Sequence, residues 1–381
     1  MTTVHRANKI RIYPTQEQAK VLGQRLGASR FCWNECLKIW ATEYEAGRKP
    51  TGYSVAKLFR ANRPEWFKET DASITDRVTA NLQTAFKNFF AKRAKYPKPK
   101  RRWQSDSYQV KVSNLNINGT TLNLPKLKGI KMSRRMFHVG KLVGNATVSK
   151  KADRWYISIP VETELSDHNP TGKVVGVDLG VRTFATLSTG EKIDKPKHLK
   201  DAEKRLARWQ RKVSRRTKGG MNRAKAQRKV QRIHASIANR RADFVHKVTT
   251  RLSKEFDSIC VEDLSVKGMI QGGMGKSVSD AGFSMFRTQM EYKAVGRVNV
   301  VSRWFPSSKT CSSCGHVNKK LSRSASRWTC PECFTEHDRD VNASTNILRA
   351  FHPTMPTEDG VHRLAGQPSV EVGSLANVNK C

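Results

Sequence analysis

The stretch KVVGVDLGVRTFATLSTGEKI, residues 173–193, begins with an apolar run that ends in the acid Asp178. A second stretch, DSICVEDL at residues 257–264, repeats this arrangement and ends its apolar run at Glu262. Short apolar runs bounded by turn signals are typical of strands that are buried within a sheet. The two stretches therefore predict two buried strands, each with a carboxylate at its end.

The order of predicted elements in the second half of the chain indicates how these strands are arranged. The first stretch predicts three strands, and a basic helical hairpin over residues 197–253 separates them from the strand that ends at Glu262. A helix, a further strand and a final helix follow. This is the element order of the ribonuclease H-like sheet, in which the first strand lies beside the fourth. Asp178 and Glu262 are then expected at neighbouring strand ends, with Asp340 brought to them by the last helix.

Three carboxylates at one place repel one another and raise one another's pKa unless cations neutralise them. Oxygen-rich carboxylate sites suit Mg²⁺ or Mn²⁺, and two such ions can hydrolyse a phosphodiester bond. Each acid also has a structural interpretation: Asp178 could cap a turn, and Glu262 could end a surface strand. Asp338 or Asp340 could begin the last helix. Their combination in one topology favours catalysis, with Asp340 as the metal ligand and Asp338 as a helix cap or supporting group.

Four cysteines follow a metal-ligand pattern. Two C-x2-C pairs separated by fifteen residues have the spacing of a four-cysteine zinc site, and the residues are Cys311, Cys314, Cys330 and Cys333. Four thiolates leave no open position for water, so the zinc is predicted to be structural. Arg327 and its basic neighbours indicate that this ribbon also contacts a phosphate strand. Cys32 and Cys36 lie four residues apart on a predicted helix and are interpreted as packing residues.

The composition indicates that the partner is a nucleic acid. The 381 residues include 71 Lys and Arg against 32 Asp and Glu, a formal net charge of +39. Residues 195–251 alone carry 20 Lys and Arg and three acids, and such a bias fits phosphate contacts with counterion release. No apolar run of transmembrane or signal-peptide length is found, so we expect a cytoplasmic, nucleoid-associated protein without a membrane partner.

The first half of the chain predicts helices inserted between strands. Residues 9–13 alternate charged and apolar side chains and are interpreted as an edge strand. Apolar residues at helical spacing predict helices over residues 22–44 and 74–94, and the aromatic stripe of the second helix is interpreted as core rather than as a base-stacking platform. Alternating segments over residues 107–164, with a hairpin turn at Asn118-Gly119, predict a small antiparallel barrel or sandwich.

Several segments together resemble the TnpB family of transposon-encoded nucleases. They include RIYPTQEQ (11–18), GASRFCWNECL (27–37), VEDLSVKGM (261–269), FPSSKTCSSCG (305–315) and HDRDVNASTNIL (337–348). The resemblance implies an RNA-guided DNA endonuclease with a RuvC-type site, whose catalytic triad is Asp178, Glu262 and Asp340. It further implies that the four cysteines hold the family's zinc, that the guide RNA comes from the transposon end, and that the target is double-stranded DNA.

The same resemblance implies residues that read a short transposon-adjacent motif. Tyr53, Ser113 and Asn114 fall where the family contacts that motif. The residue types near Asp76 and Arg77 do not match well enough to be carried over.

The resemblance implies an α+β multidomain fold. A wedge-type β-barrel with an inserted helical recognition domain precedes a RuvC (ribonuclease H-like) α/β domain that carries a four-cysteine zinc ribbon. The expected boundaries are 1–14 and 105–168 for the two parts of the wedge barrel, 15–104 for the recognition domain, 169–307 and 336–351 for the two parts of RuvC, 308–335 for the ribbon, and 352–381 for a disordered tail. A monomer is expected.

One departure from the family concerns the ribbon: Phe334 stands where many members have glycine after the fourth cysteine. Two other functions remain open on the residues alone. The chain could be a guide-directed DNA-binding repressor that does not cut, or a guide-independent nuclease or transposition accessory. A ribonuclease H-like transposase would use the same acids, and we find no helix-turn-helix module that would bind transposon ends.

Overall fold

The computed structural model describes residues 3–102, 106–165, 169–271, 275–322 and 324–352, with the backbone alone at 267, 276, 277 and 279. The chain divides into two compact units, one up to residue 166 and one from residue 167. The predicted disordered tail lies outside the described residues from 353 onward. None of the helices within these ranges is long and apolar enough to cross a membrane.

An antiparallel sheet of eight strands lies in the first unit. The strands are β1 (Thr3–Tyr13), β2 (Ser107–Lys111), β3 (Asn116–Asn118), β4 (Thr121–Leu124), β5 (Leu127–Met132), β6 (Lys141–Leu142), β7 (Asn145–Lys151) and β8 (Arg154–Glu164). Their order is β2-β7-β8-β1-β5-β4-β3, and β6 pairs with β8. The predicted turn at Gly119 is confirmed between β3 and β4, and this glycine has φ +57°.

The interpretation of residues 9–13 as an edge strand is wrong. They belong to β1, which pairs with β8 on one side and with β5 on the other. The alternation of charged and apolar residues reports only that one face is buried, and an interior antiparallel strand has the same pattern. Ile10 and Ile12 supply the buried face and are each 1% exposed.

Four helices lie between β1 and β2. They are α1 (Gln16–Glu45), α2 (Gly52–Asn62), α3 (Glu65–Lys68) and α4 (Ser73–Phe90). The sequence predicted α1 and α4 but not the two shorter helices, and it placed the end of α4 four residues too late. Cys32 and Cys36 are fully buried, and the rings of Trp40 and Phe86 stack with their centroids 4.5 Å apart. The interpretation of the two cysteines as packing residues is therefore confirmed, whereas the aromatic stripe is core only in part, since Phe90 is 55% exposed.

A mixed five-stranded sheet lies in the second unit. Its strands are β9 (Val174–Asp178), β10 (Thr183–Leu187), β11 (Lys192–Asp194), β12 (Ser258–Glu262) and β13 (Val298–Val301). The order is β11-β10-β9-β12-β13; β12 is parallel to both β9 and β13, and β10 is antiparallel to β9. The first strand of this unit therefore lies beside the fourth, as the element order predicts.

Six helices and a two-stranded ribbon complete the second unit as far as it is described. The helices are α5 (His198–Ser214), α6 (Met221–Glu255), α7 (Val266–Met269), α8 (Gly275–Ala281), α9 (Phe283–Lys293) and α10 (Arg339–Arg349). The ribbon pairs β14 (Arg327–Thr329) with β15 (Glu336–Asp338). Helices α7 and α8 occupy a Gly- and Met-rich segment in which we predicted no helix.

Helix α10 packs directly on β9 at Gly176. A Cβ atom at this position would lie 2.0 Å from the Ser344 carbonyl oxygen and 2.8 Å from the Leu348 nitrogen, far inside normal contact distances. Ala343 and Ser344, on the facing side of the helix, are themselves small and almost completely buried. The absence of a side chain at Gly176 therefore sets how closely the helix approaches the strand.

We expect Gly176→Ala to lower the free energy of unfolding by about 1–3 kcal/mol or more, because the added methyl group must displace backbone atoms of α10. Gly23→Ala is the matched control: a Cβ there meets nothing within 4 Å, and alanine favours the helix that contains it. Urea unfolding of the full chain, followed by circular dichroism, measures both. Equal midpoints for wild type and Gly176→Ala would contradict the packing argument.

Candidate active site and metal centre

Asp178 and Glu262 lie side by side at one edge of the five-stranded sheet. Val177 on β9 pairs with Val261 on β12 in a parallel ladder, so the next residue of each strand is an acid beside an acid. Paired strands are about 4.8 Å apart. Both acidic side chains are half-buried. The predicted meeting of the two strand ends is therefore confirmed, whereas the roles of the two acids stay predictions.

Asp340 lies in the first turn of α10, and Asp338 begins that helix. Asp338 Oδ1 accepts hydrogen bonds from the backbone nitrogens of Asp340 at 3.1 Å and Val341 at 3.2 Å, which is the geometry of an N-cap. Its other oxygen accepts a hydrogen bond from Lys192 Nζ at 2.7 Å. The prediction that Asp338 caps the helix is confirmed. Both of its carboxylate oxygens accept hydrogen bonds, one from the helix backbone and one from Lys192.

The electrostatics of the acids depend on their mutual proximity. Burial, and then the charges of Asp340 and Glu262, raise the pKa of Asp178 to about 7, although the charge of Arg339 opposes them. Burial also raises the pKa of Glu262, with a contribution from the charge of Asp263. A bound cation would reverse this repulsion, so the donor set fits a divalent metal that prefers oxygen ligands.

The three carboxylates do not form one tight ligand cluster. A tight cluster has three or more possible ligand atoms that all lie within 4.8 Å of one another. In the described part of the chain, the four ribbon cysteines meet this criterion and the three acids do not. Asp178 instead interacts with each of the other two acids. This arrangement suits cations shared between pairs of carboxylates better than a single ion held by all three.

A pair of arginines next to the acids was missed by the sequence analysis. Asp263, the residue after Glu262, forms ion pairs with Arg287 and Arg303. Hydrogen bonds from Arg303, and then from Arg287, hold the pKa of Asp263 below its usual range although burial opposes them. Asp263 is therefore an arginine-binding group rather than a candidate metal ligand.

The four ribbon cysteines converge as their spacing predicts. The sulfur atoms of Cys311 and Cys333 are 3.6 Å apart, and those of Cys314 and Cys330 are also 3.6 Å apart. A tetrahedral zinc ion with Zn–S bonds of about 2.3 Å requires sulfur atoms about 3.8 Å apart. The cluster therefore fits a structural zinc ion, with all four positions supplied by thiolates.

The two C-x2-C pairs form equivalent turns. Gly315 donates its backbone N–H to the Cys311 carbonyl oxygen at 2.9 Å, and Phe334 donates to that of Cys330 at 3.0 Å. Both residues have positive φ angles, +80° and +56°. The departure at Phe334 thus leaves the turn intact, but it places a β-carbon in the left-handed region that glycine occupies more easily.

His337 is a residue of the ribbon that the sequence analysis missed. Its Nε2 lies 3.0 Å from the Cys311 sulfur, and its ring packs on that of Trp328 with centroids 4.9 Å apart. The side chain is buried, which lowers its pKa. With the remaining proton on Nε2, the ring can donate a hydrogen bond to the Cys311 thiolate. A histidine four residues after the last cysteine of a zinc ribbon is the sequence signal that could have indicated this contact.

Two asparagines on α10 bind the segment that leads into the ribbon. Asn342 Nδ2 donates to the Thr310 carbonyl oxygen at 2.7 Å, and its Oδ1 accepts from Ser312 N at 2.8 Å. Asn346 Nδ2 lies 2.8 Å from the Ser307 carbonyl oxygen. Both asparagines are almost fully buried. The helix that carries Asp340 and the first cysteine turn are therefore one hydrogen-bonded unit.

Comparison with known proteins identifies the family. A family model described as "OrfB_IS605: Probable transposase" matches residues 158–272, and one described as "Cas12f1-like, TNB domain" matches residues 283–347. The "Putative RNA-guided DNA endonuclease" of Streptomyces pristinaespiralis is 39% identical over 378 residues, covering 95% of this chain and 93% of that protein. The chain belongs to the TnpB family. InsQ of Escherichia coli K12, which bears the same description, is 34% identical over 387 residues, covering 95% and 96% of the two chains.

A solved structure shares the fold of this TnpB-family chain. The Cas12f1 chain in a cryo-EM structure with sgRNA and target DNA aligns with a TM-score of 0.54 at 10% identity, over 91% of this chain and 98% of that one. At this identity the likeness concerns the fold alone. It supports the α+β architecture predicted from the sequence.

One family match corrects the sequence analysis. A model described as "Helix-turn-helix domain" matches residues 1–49. The statement that the chain has no such module is therefore wrong, and it cannot serve as an argument against strand transfer. In this TnpB-family chain the matched residues form β1 and the single 30-residue helix α1. The sequence of residues 1–49 thus matches the family model, but the structure of this segment is a strand followed by one uninterrupted helix rather than two helices joined by a turn.

The other predicted site residues lie on the surface. Tyr53, in the first turn of α2, is 79% exposed, and Ser113 and Asn114 are exposed in a 3-10 turn between β2 and β3. Arg327 is exposed at the start of β14. Their proposed nucleic-acid contacts stay predictions. Arg77, which was not carried over from the family, donates a hydrogen bond to Asn145 Oδ1 at 3.3 Å.

The raised pKa of Asp178 predicts that this TnpB-family protein, free of metal, loses stability as the pH rises. The folded state holds the proton of Asp178 more tightly than the unfolded state does. The stability that this proton adds is therefore fully present below pH 3.8 and is lost as the pH rises through about 7. Its upper limit is about 4 kcal/mol. Asp178→Asn should remove much of this pH dependence, measured as thermal midpoints between pH 5 and pH 8 in a chelator.

Asp243→Asn is the matched control for that measurement, because Asp243 is an exposed acid of the same unit, paired with Lys247. It should keep the wild-type pH dependence. A residual slope in Asp178→Asn is expected from Glu262, whose pKa is also raised. If stability changed with pH equally in wild type and Asp178→Asn, the pKa of Asp178 would not be raised in the folded protein.

The knuckle geometry predicts opposite effects on zinc binding at two matched positions. Phe334→Gly should tighten zinc binding about fivefold, because it removes about 1 kcal/mol of left-handed backbone strain that exists only in the folded ribbon. Gly315→Ala should weaken binding by a similar factor. Competition with a chromogenic chelator measures both, and a shift of the two variants in the same direction would refute the strain argument.

Proposed function

We propose that this chain is an RNA-guided DNA endonuclease encoded by a transposon. The observation that carries the proposal is the arrangement of three acids from three separate elements, β9, β12 and α10, around one edge of a ribonuclease H-like sheet in a strongly basic chain. The named function of its relatives, RNA-guided DNA endonuclease, supports the same conclusion.

Asp178, Glu262 and Asp340 would hold divalent cations, Mg²⁺ or Mn²⁺ and two in number. When bound, such ions activate a water molecule and stabilise the leaving oxygen of a phosphodiester. The chain itself supplies the negative charge that attracts them. It also supplies a half-buried position for Asp178, where the carboxylate is poorly solvated and gains most from a cation. The site is thus a RuvC-type nuclease centre.

The zinc ribbon would have a structural role. Its four cysteines would hold Zn²⁺ without an open position, and Arg327 would contact a phosphate group of the substrate beside the acids. The ribbon shares hydrogen bonds with the helix of Asp340. Ordered zinc binding would therefore support the position of that helix.

The nucleic-acid partners follow from charge and family. The guide RNA would derive from the transposon end, pair with one strand of double-stranded target DNA and be held through its backbone, while the protein reads a short adjacent motif. Tyr53, Ser113 and Asn114 are the proposed motif readers. Cutting the vacated donor site would favour retention of the transposon. We expect the protein to act as a monomer at the nucleoid.

We assign the domains that the family resemblance implies to the two units of the chain. The eight-stranded sheet would be the wedge barrel, formed from residues 1–14 and 105–168, and the four helices of residues 15–104 the recognition domain. Residues 169–307 and 336–351 would form the nuclease, with the ribbon at 308–335 inserted between them. The basic helices α5 and α6 would lie along a nucleic-acid strand.

The proposed function predicts guide-dependent, magnesium-dependent DNA cleavage. The protein is expressed with its native flanking DNA, the copurifying RNA is sequenced, and the complex is incubated with Mg²⁺ and a plasmid library that matches this RNA beside a randomised motif. Wild type should cut plasmids with one short motif, and Asp178→Ala should bind them without cutting. Asp243→Asn should cut like wild type.

Other outcomes identify the alternatives. A discrete RNA with target binding but no cleavage by wild type would indicate a guide-directed repressor. Cleavage by protein that lacks RNA would indicate a structure-specific nuclease or transposition accessory. Joining of cut ends to a second DNA would indicate strand transfer.

A further inference from the structure

Trp304 is unusually exposed for a tryptophan. Its side chain is 85% exposed, more than any other exposed large apolar residue in the described part of the chain. Tryptophan carries the largest apolar surface of any side chain, and leaving it in water is unfavourable unless a partner covers it. The indole of Trp304 therefore presents a flat, uncovered aromatic face.

The backbone around Trp304 holds the indole outward. Ser302 Oγ accepts a hydrogen bond from Trp304 N at 3.3 Å, and the Ser302 carbonyl oxygen accepts one from Phe305 N at 3.0 Å. Phe305 packs inward against a buried cluster that includes Val301 and Ile347. The residues before and after Trp304 are thus fixed in a turn, and the exposure of the indole is a property of an ordered loop.

The same turn is tied to the edge of the sheet that carries the acids. Val301, the last residue of β13, pairs with Glu262, and Asp263 N donates to the Val301 carbonyl oxygen at 2.9 Å. Arg303 Nε donates to Asp263 Oδ2 at 3.0 Å. Trp304 is three residues beyond Val301, a span of at most about 10 Å. An aromatic face therefore lies within a few nucleotide lengths of the candidate active site.

We propose that Trp304 stacks on a base of the DNA strand that is being cut, and so positions that strand over Asp178, Glu262 and Asp340. The inference rests on the proposed function. Because this loop adjoins the sheet edge that carries Glu262, a strand whose phosphate reaches the acids can place a neighbouring base against the indole. Exposed aromatic rings next to arginine bind single-stranded nucleic acid without sequence preference, and the Arg303 side chain is 43% exposed.

A cleavage experiment tests the stacking with its own base-removal control. Under single-turnover conditions with the RNA complex and Mg²⁺, Trp304→Ala should slow cleavage about tenfold or more. Trp304→Phe should recover most of the rate, and Trp304→Leu, which keeps apolar bulk without an aromatic face, should not. A single abasic nucleotide, moved along the cut strand, should slow wild type by a similar factor at one position and should not slow Trp304→Ala further.

The variants of Trp304 should fold normally, because the indole makes few contacts, and unchanged thermal midpoints check this. Tyr292→Ala, which removes another exposed aromatic ring of the same unit, should respond to the abasic nucleotide as wild type does. Wild-type rates in Trp304→Leu, or equal sensitivity of Trp304→Ala and wild type to the abasic nucleotide, would overturn the proposal.

A binding experiment separates this inference from the proposed function. Asp178→Ala protein with its copurified RNA is photocrosslinked to single-stranded DNA that carries iododeoxyuridine, and the crosslinked peptides are identified by mass spectrometry. A crosslink at Trp304 supports the stacking even if wild type proves unable to cut. Crosslinks to DNA that avoid residues 302–305, or a Trp304 crosslink obtained only when the iodinated base is in the RNA, would overturn it.

Discussion

The approach of α10 to β9 at Gly176 is the constraint on which the second unit depends. With the Ser344 carbonyl oxygen 2.0 Å from where a β-carbon would be, the helix packs against the backbone of the strand instead of against its side chains. This brings a residue of the first helical turn, Asp340, into electrostatic contact with the last residue of the strand, Asp178. A bulkier contact would move the helix outward, and the acids would no longer share one region of space.

The position of α10 along the strand is set by polar contacts at its other faces. Asn342 and Asn346 bind carbonyl oxygens of residues 307–310, while Asp338 caps the helix and accepts a hydrogen bond from Lys192 on β11. The ribbon is thus inserted between β13 and α10 without loosening the helix. Its first cysteine turn is hydrogen-bonded to α10 two residues beyond Asp340, so order in the ribbon and order at the acids are linked.

The sequence predicted the features that local patterns encode. The cap at Asp338 and the convergence of the cysteines follow from short-range spacing, and the strand order of the second unit follows from the order of its predicted elements. It did not predict that β1 is interior, because strand pairing depends on residues more than a hundred positions away. The asparagine contacts of α10 and the contact of His337 with Cys311 were missed for the same reason: a polar residue does not reveal which distant group it will bind.

The environment divides the carboxylates at this edge into two classes. Asp263 and Asp338 accept hydrogen bonds from arginine or lysine, which holds their pKa below the usual range despite burial. Asp178 and Glu262 have a raised pKa, because burial and neighbouring negative charge outweigh the opposing charge of Arg339 at Asp178 and act at Glu262 without a hydrogen bond from arginine or lysine. Glu262 and Asp263 are adjacent in sequence, so residue type cannot distinguish them. The chain has 71 lysines and arginines, yet at Asp178 the opposing charge of Arg339 does not offset burial and the two neighbouring carboxylates.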